Sequence, residues 1–224
     1  MKVRFLRTDE IENAVAELLR NFCHKRNVAL SAPVPVEDIL EKHLQVKLEI
    51  KDLEKMLGIP DVLGAAWFAQ GIVRIDERIV DQEGRYCFTL SHELGHWVLH
   101  RPQVEAERVT RTLFGPASEA PAFICRTSEK RAPAEWQADQ FAARLLMPAR
   151  LVREAFTATC GNSAIEIDGF AKRRTDADVL TRWREVATTV IDTGKFTNVS
   201  NEAMRYRLSD LQLVREPIPS QIIQ

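Results

Sequence analysis

The chain has 224 residues, of which 45% are hydrophobic and 28% are charged, and its formal net charge is -1 at pH 7. This composition supports a folded core and argues against intrinsic disorder, except in the last residues. A net charge near zero gives no general attraction for nucleic acid or for an anionic membrane surface. No apolar run approaches the roughly 20 residues that a membrane-spanning helix needs, so we expect no membrane association.

The first ten residues and the cysteines favour a cytoplasmic location. Residues 1–10 contain no apolar run of signal-peptide length. The four cysteines are scattered without Cys-x-x-Cys spacing, which fits reduced thiols better than a disulfide framework or a second zinc site. Cys125 alone leaves two interpretations, an inhibitory thiolate near a metal ion or an ordinary packing cysteine, and we favour the second. The cysteines are Cys23, Cys87, Cys125 and Cys160.

The first predicted element is an amphipathic helix. Residues 9–12 can act as its capping box, and apolar residues then recur at helical spacing. We expect this helix to pack on the core through one face. The residues of that face are Ile11, Ala14, Val15, Leu18, Leu19 and Phe22.

Three predicted strands follow the first helix. Residues 46–50 alternate as a strand, and residues 65–69 and 72–76 flank a plausible hairpin turn at residues 70–71. We expect a small, mostly antiparallel sheet. An unpaired sheet edge can bind an extended peptide by strand addition, and the hairpin is our candidate for that edge. Its apolar residues favour equally a hairpin that only covers the core: Trp67, Phe68 and Ile72.

Residues 92–96 read His-Glu-Leu-Gly-His, within an apolar helical run. Two histidines four residues apart lie on one face of a helix, where both can bind one tetrahedral zinc ion. Bound Zn²⁺ lowers the pKa of water from about 16 to about 7, so a neighbouring carboxylate can take its proton. The spacing therefore predicts His92 and His96 as ligands and Glu93 as the general base.

A catalytic zinc ion needs a third protein ligand. His100 is excluded because it lies eight residues from His92, about 12 Å along a helix at about 1.5 Å per residue, and we interpret it as a helix-end residue. A second helix, ended by Pro148, offers Glu135 as the better candidate. Asp139, one turn further, can accept the outer N–H of a ligating histidine.

Two segments resemble the ImmA/IrrE family of zinc metallopeptidases: residues 88–100, FTLSHELGHWVLH, and residues 135–148, EWQADQFAARLLMP. The resemblance implies an α+β, zincin-like metallopeptidase fold and one Zn²⁺ per chain. By position it implies His92, His96 and Glu135 as ligands and Glu93 as the catalytic base. The family usually has asparagine where this chain has Asp139, and both side chains accept a hydrogen bond.

We divide the chain into a zincin-like domain at residues 1–158, a helical C-terminal part at 159–215 and a tail at 216–224. Basic residues at 172–174, with Arg182 and Arg184, lie beside a helix-turn-helix-like stretch at residues 179–210. Acidic residues are interspersed among them, which favours a solvated helix face. Direct nucleic-acid binding is therefore not expected.

The resemblance implies a zinc-dependent endopeptidase that cleaves a helix-turn-helix repressor or an antitoxin-like partner at a limited site, in a stress or mobile-element response. We expect this substrate to be a separate polypeptide and residues 101–133 to shape its access. One alternative is a non-catalytic regulatory or toxin–antitoxin binding protein on a zincin scaffold. Another is a zinc amidase with a closed pocket. Tyr86 lies about one and a half turns before His92, so we do not assign it to the oxyanion.

Overall fold

The computed structural model describes residues 3–111, 120–126, 132–168, 170 and 176–217. The chain divides into two compact units, Met1–Leu146 and Met147–Gln224. Helices and a small sheet build the first unit, and helices dominate the second, so the predicted α+β fold class is confirmed. Among the described residues, every helix is too short or too polar to cross a lipid bilayer.

The first helix, α1, spans Thr8–Arg26. Five of its six predicted core residues are buried, and Ala14 is partly exposed. The predicted capping box at residues 9–12 is wrong, because the helix begins two residues earlier than that box requires. Arg7 is the N-cap, and its backbone N–H donates to the Glu10 carboxylate at 2.9 Å. This contact satisfies a donor near the helix start that has no partner within the helix.

Within the residues that the structure describes, the first unit contains a four-stranded sheet with the order β1-β3-β2-β4. The strands are β1 at Lys47–Lys51, β2 at Val62–Trp67, β3 at Ile72–Asp76 and β4 at Phe123–Arg126. Strand β1 pairs with β3 in parallel, whereas β2 pairs antiparallel with both β3 and β4. Two of the three pairings are thus antiparallel, in agreement with a mostly antiparallel sheet.

The proposal that the 65–76 hairpin offers a free edge to substrate is wrong. Strands β2 and β3 are the two central strands, because β1 covers the outer side of β3 and β4 covers that of β2. The alternative, that the hairpin covers the core, agrees with the burial of Trp67 and Phe68. The turn is also longer than predicted: β2 ends at Trp67 and β3 begins at Ile72.

Short helices connect the strands. Helix α2 at Val36–Asp38 continues as a π-helical turn at Ile39–His43, and α3 spans Leu53–Leu57. The buried Asp76 carboxylate at the end of β3 accepts the backbone N–H of Leu53 at 2.9 Å and the Arg78 Nε–H at 2.6 Å. This carboxylate therefore fixes the start of α3 to the end of β3.

The HExxH motif lies on a long helical stretch of three segments. Helix α4 covers Glu83–Gly95, a π-helical turn covers His96–His100, and α5 covers Arg101–Arg111. A π-helical turn inside an α-helix often occurs at a functional site, because it changes the direction of the side chains that follow.

Helix α6, at Pro133–Leu146, packs directly against α4. A Cβ atom added at Gly95 would lie 3.1 Å from Phe141 Cβ and 3.2 Å from Ala138 Cα. The absence of a side chain at Gly95 thus permits the close approach of the two helices. The second predicted motif is thereby brought against the first.

The described part of the second unit contains three helices, α7 at Ala149–Cys160, α8 at Ala177–Gly194 and α9 at Asn201–Asp210. Helix α8 packs against both of the others. Strands β5 at Ile165–Glu166 and β6 at Val214–Arg215 form a parallel pair. The arrangement buries a core that includes Phe156, Trp183, Phe196, Met204 and Leu208.

The limits of the second unit differ from the sequence-based division. Residues 149–158, assigned from the sequence to the first domain, lie in α7, which packs on α8. Pro148 is the N-cap of α7, so α6 and α7 are separate helices. The basic residues 172–174 and tail residues 218–224 lie outside the described residues.

Candidate metal centre

The structure brings the three predicted ligands together in the first unit. His92 and His96 are buried on α4 and at its C-terminal end, and Glu135 lies in the first turn of α6. His92 Nε2 is 3.0 Å from His96 Nε2 and 3.0 Å from Glu135 Oε2. His96 Nε2 is 3.4 Å from Glu135 Oε1. Three atoms that can bind a metal ion therefore converge on one point.

These separations fit a tetrahedral zinc ion. Zinc bonds of about 2.0–2.2 Å at tetrahedral angles place neighbouring ligand atoms about 3.3–3.6 Å apart. The separations in the structure are 3.0–3.4 Å, within a few tenths of an ångström of that requirement. Two imidazoles and a carboxylate are also a usual protein donor set for catalytic zinc.

Asp139 contacts His92, the ligand that its position predicts it to support. Its Oδ1 lies 3.0 Å from His92 Nδ1, the ring nitrogen that faces away from the other ligands. A carboxylate at this place accepts the Nδ1 proton and leaves the lone pair of Nε2 for a metal ion. The one-turn spacing of Glu135 and Asp139 on α6 thus lets one helix contribute both a ligand and a support.

His100 was predicted to lie at a helix end, but the helical stretch continues past it into α5. Its side chain is fully buried, and its Nδ1 lies 2.9 Å from His96 Nδ1. It is not one of the converging ligands, in agreement with the distance argument, but it contacts one of them directly. Sequence reasoning missed this contact, and the signal was present as a third histidine four residues after His96.

Glu93 is fully buried beside this centre, and neither carboxylate oxygen has a hydrogen-bond partner among the described residues. Burial raises the pKa of Glu93 to about 8, and the nearby Glu135 adds to the rise while His92 opposes it. Space for the side chain comes from Gly64 on β2, where an added Cβ would lie 2.9 Å from Glu93 Oε1. A buried carboxylate without partners indicates a functional role, because an ordinary buried acid is hydrogen-bonded.

The ligands themselves have shifted acid–base equilibria. Burial alone would raise the pKa of Glu135, but hydrogen bonds from His92 and His96 lower it to about 2. Burial lowers the pKa of His96 to about 4. Burial likewise disfavours a charged His92, but hydrogen bonds with Asp139, Cys125 and Glu135 raise its pKa well above the usual value. In this arrangement Glu135 is ionised and His96 neutral, both ready to bind a cation.

Strand β4 forms one wall of the centre. The Phe123 ring stacks on His96 with 4.0 Å between ring centroids. Two residues along, the Cys125 thiol lies within 4.8 Å of ligand atoms of both His92 and Glu93. Burial raises the pKa of this thiol, with His92 opposing the rise. The structure thus brings Cys125 to the centre, which the sequence left open.

The Tyr86 hydroxyl is engaged elsewhere. It donates a hydrogen bond of 2.6 Å to Glu37 Oε1, and burial raises its pKa further above the usual value. The decision not to assign Tyr86 to the oxyanion agrees with this contact.

Comparison with known families identifies the family of this chain. The family model of peptidase M78, described as the IrrE N-terminal-like domain, matches residues 42–160. This range contains both motifs and all five predicted site residues. No match was found among curated proteins. The match covers more than half of the chain and agrees with the ImmA/IrrE resemblance, so the protein belongs to the peptidase M78 family with the IrrE N-terminal-like domain.

Proposed function

We propose that this protein is a zinc-dependent endopeptidase. The observation that carries the proposal is the buried Glu93 carboxylate without partners, next to the converging atoms of His92, His96 and Glu135. A purely structural zinc site is normally closed by four protein ligands and has no need of a buried free carboxylate. Three ligands with an adjacent base are instead the arrangement of a hydrolytic centre.

The roles of the residues follow from their positions. Zn²⁺ held by His92, His96 and Glu135 would supply Lewis-acid chemistry, lowering the pKa of water from about 16 to about 7 and polarising a peptide carbonyl. Glu93, whose pKa of about 8 would fall beside a bound Zn²⁺, accepts in its ionised form the proton of the attacking water and later passes it to the leaving amine. Asp139 accepts the His92 Nδ1–H, so Nε2 is the ring nitrogen through which His92 would bind the ion.

We propose that the substrate binds as an extended peptide along β4. Among the described residues, β4 has a strand partner on one side only, so its other edge can accept a peptide by strand addition. Phe123 and Cys125 of this strand lie at the metal centre. A peptide paired with β4 would therefore pass close to Glu93.

The substrate we propose is a helix-turn-helix repressor or an antitoxin-like protein, encoded separately and cleaved at a limited site in the cytoplasm, in a stress or mobile-element response. Support for this substrate comes from the ImmA/IrrE resemblance of the two motifs. The formal net charge of -1 supports a protein substrate over nucleic acid.

The test compares zinc-loaded wild type with Glu93→Gln, which keeps the size of the side chain and removes the base. Each protein is incubated with a lysate of the source cells, and new protein N-termini are identified by mass spectrometry. We expect a few cleavage sites, in one or a few DNA-binding proteins, that appear only with wild type. The proposal would be contradicted if no cleavage site were specific to the wild type and cells carrying Glu93→Gln behaved like wild-type cells. That result would favour the non-catalytic binding protein.

A further inference from the structure

A hydrogen-bonded chain leads from His96 to the segment before α1. His96 Nδ1 lies 2.9 Å from His100 Nδ1, and His100 Nε2 lies 3.3 Å from Gln137 Oε1. Gln137 Nε2 in turn donates to the Arg4 carbonyl oxygen at 3.1 Å. The side chains of His96, His100 and Gln137 are fully buried. Bulk water therefore has no access to substitute for a lost contact in the chain.

The direction of each hydrogen bond in this chain is set by the Arg4 carbonyl group at its end. A carbonyl oxygen only accepts, so Gln137 must turn its amide nitrogen to Arg4 and its amide oxygen to His100. That oxygen also only accepts, so His100 must carry its proton on Nε2. The described partners of His100 carry no anionic group, which favours a neutral ring with a single N–H.

The position of the His100 proton also determines the tautomer of His96 at the metal centre. With its proton on Nε2, His100 offers Nδ1 as an acceptor. Two ring nitrogens 2.9 Å apart share one proton, so His96 must donate from Nδ1. The Nε2 atom of His96 is then left with its lone pair, and this is the atom that faces His92 and Glu135.

We propose that His100 and Gln137 are positioning residues that hold His96 in the Nδ1–H tautomer, so that its Nε2 is ready to bind the metal ion. This inference rests on the proposed zinc site. The two histidine ligands are thereby supported differently: His92 by the Asp139 carboxylate, and His96 by a buried chain of uncharged groups that ends at the Arg4 carbonyl.

The π-helical turn provides the geometry. Its hydrogen bonds join residues five apart, as in the Arg101 N–H donating to the His96 carbonyl. Residues four apart lie on the same face of a helical stretch, and the rings of His96 and His100 lie 5.1 Å apart between centroids. Helix α6, which approaches closely at Gly95, then supplies Gln137.

Two substitutions of His100 separate positioning from packing. His100→Phe keeps a ring at the place that contacts Phe123, 5.3 Å away between centroids, but offers no acceptor to His96. His100→Asn loses the ring, but its Oδ1 can accept the His96 Nδ1–H. Zinc affinity of the full chain is measured by competition with a chromophoric chelator.

We expect His100→Phe to weaken zinc binding by about 10–100-fold and His100→Asn to weaken it less. A packing role predicts the reverse order, and that result would overturn the proposal. The matched controls are His43→Phe and His43→Asn. The His43 ring also packs on a phenylalanine, Phe22, with 5.9 Å between ring centroids, but His43 is not part of the hydrogen-bonded chain from His96 to Arg4. Neither control should change zinc affinity.

The wild-type protein provides a test that needs no variant. Long-range ¹H–¹⁵N correlation spectra of the histidine rings identify which nitrogen carries the proton. We expect His96 to be protonated on Nδ1 and His100 on Nε2 in the zinc-loaded protein. His100 protonated on Nδ1 would overturn the proposal. If the wild type takes up no zinc, the proposed function fails, whereas the His100 tautomer in the metal-free protein still tests the direction of the chain.

Discussion

At the scale of single residues, Glu93 combines full burial with two carboxylate oxygens that lack partners among the described residues. Such a group costs stability, because the charged form is removed from water without compensation. The HExxH motif predicted Glu93 as the general base. The space that the Glu93 side chain occupies, however, depends on Gly64, which lies on a strand distant in sequence. No local pattern in the sequence indicates that the side chain at position 64 must be absent.

Gly64→Ala should reduce activity while zinc stays bound. The new Cβ would lie 2.8 Å from Thr89 Cγ2 and 2.9 Å from Glu93 Oε1, so the base must move. A displacement of about 1 Å at a catalytic group can cost on the order of 100-fold in rate. The measurement is kcat/KM on a cleavable peptide, together with zinc content. Gly58→Ala is the control: nothing lies within 4 Å there, and its positive φ should cost stability but leave kcat/KM unchanged.

Asp139→Ala should weaken zinc binding by about 10–100-fold, because the His92 Nδ1–H loses its acceptor. Asp139→Asn should weaken it less, since the amide oxygen still accepts a hydrogen bond. Chelator competition measures both. Equal losses in the two variants would show that charge, and not hydrogen bonding, is what Asp139 contributes.

At the scale of elements, the sequence predicted those parts that depend on local periodicity. The first helix and the strands at 46–50 and 72–76 appear close to their predicted positions. The parallel pairing of β1 with β3, and the addition of β4 to the outer side of β2, were not predictable, because strand order depends on contacts distant in sequence. The sequence therefore led to the expectation of a free edge at the hairpin, which the observed strand order excludes.

The contact between His96 and His100 was missed for a different reason. The sequence analysis compared His100 only with His92, and it correctly separated those two residues. The four-residue spacing of His96 and His100 was itself a signal of their contact, whereas no residue pattern indicated the π-helical turn at His96–His100. The convergence of His92, His96 and Glu135 was predictable because it needs only one helical turn and one family motif.

Asp76 joins two elements, and its removal should destabilise the first unit. Burial raises its pKa, but hydrogen bonds from the Arg78 side chain and the backbone N–H groups of Leu53 and Arg78 outweigh this and lower it. Asp76→Asn should lower the free energy of unfolding by about 1–3 kcal/mol at neutral pH. Urea denaturation of wild type and variant measures the loss.

The pH dependence of this loss has a definite sign. Because the pKa of Asp76 is lower in the folded state, its stabilisation is fully present above the unfolded value of about 3.9 and is lost as the pH falls through the folded value. The stability difference between wild type and Asp76→Asn should therefore shrink below about pH 4. A difference that stays constant or grows in acid would contradict the assignment.

At the scale of the whole molecule, zinc bound at the proposed centre would cross-link α4 and α6, both within the unit Met1–Leu146. A ligand that binds only the folded state stabilises it, by about 4 kcal/mol at 1,000 times its dissociation constant. Zinc should therefore raise the Tm of the wild type, and a chelator should reverse the shift. Glu135→Gln should show a much smaller shift, because it loses a charged ligand.

The division of the chain shows what sequence reasoning could establish at this scale. The family match over residues 42–160 extends across α7, whereas contacts assign α7 to the second unit. Pro148 correctly predicted the end of a helix, but the domain boundary was placed at residues 158–159, because packing decides which helices belong together. Such packing between distant segments is not encoded in local periodicity.

We propose that His92, His96 and Glu135 together bind one zinc ion. The most direct test is elemental analysis of untagged protein, comparing wild type with Glu135→Ala. We expect about one zinc ion per wild-type chain and substantial loss in the variant, because two neutral imidazoles alone bind zinc weakly. Wild type that stays metal-free after incubation with zinc, or a variant that retains a full equivalent, would contradict the three-ligand site.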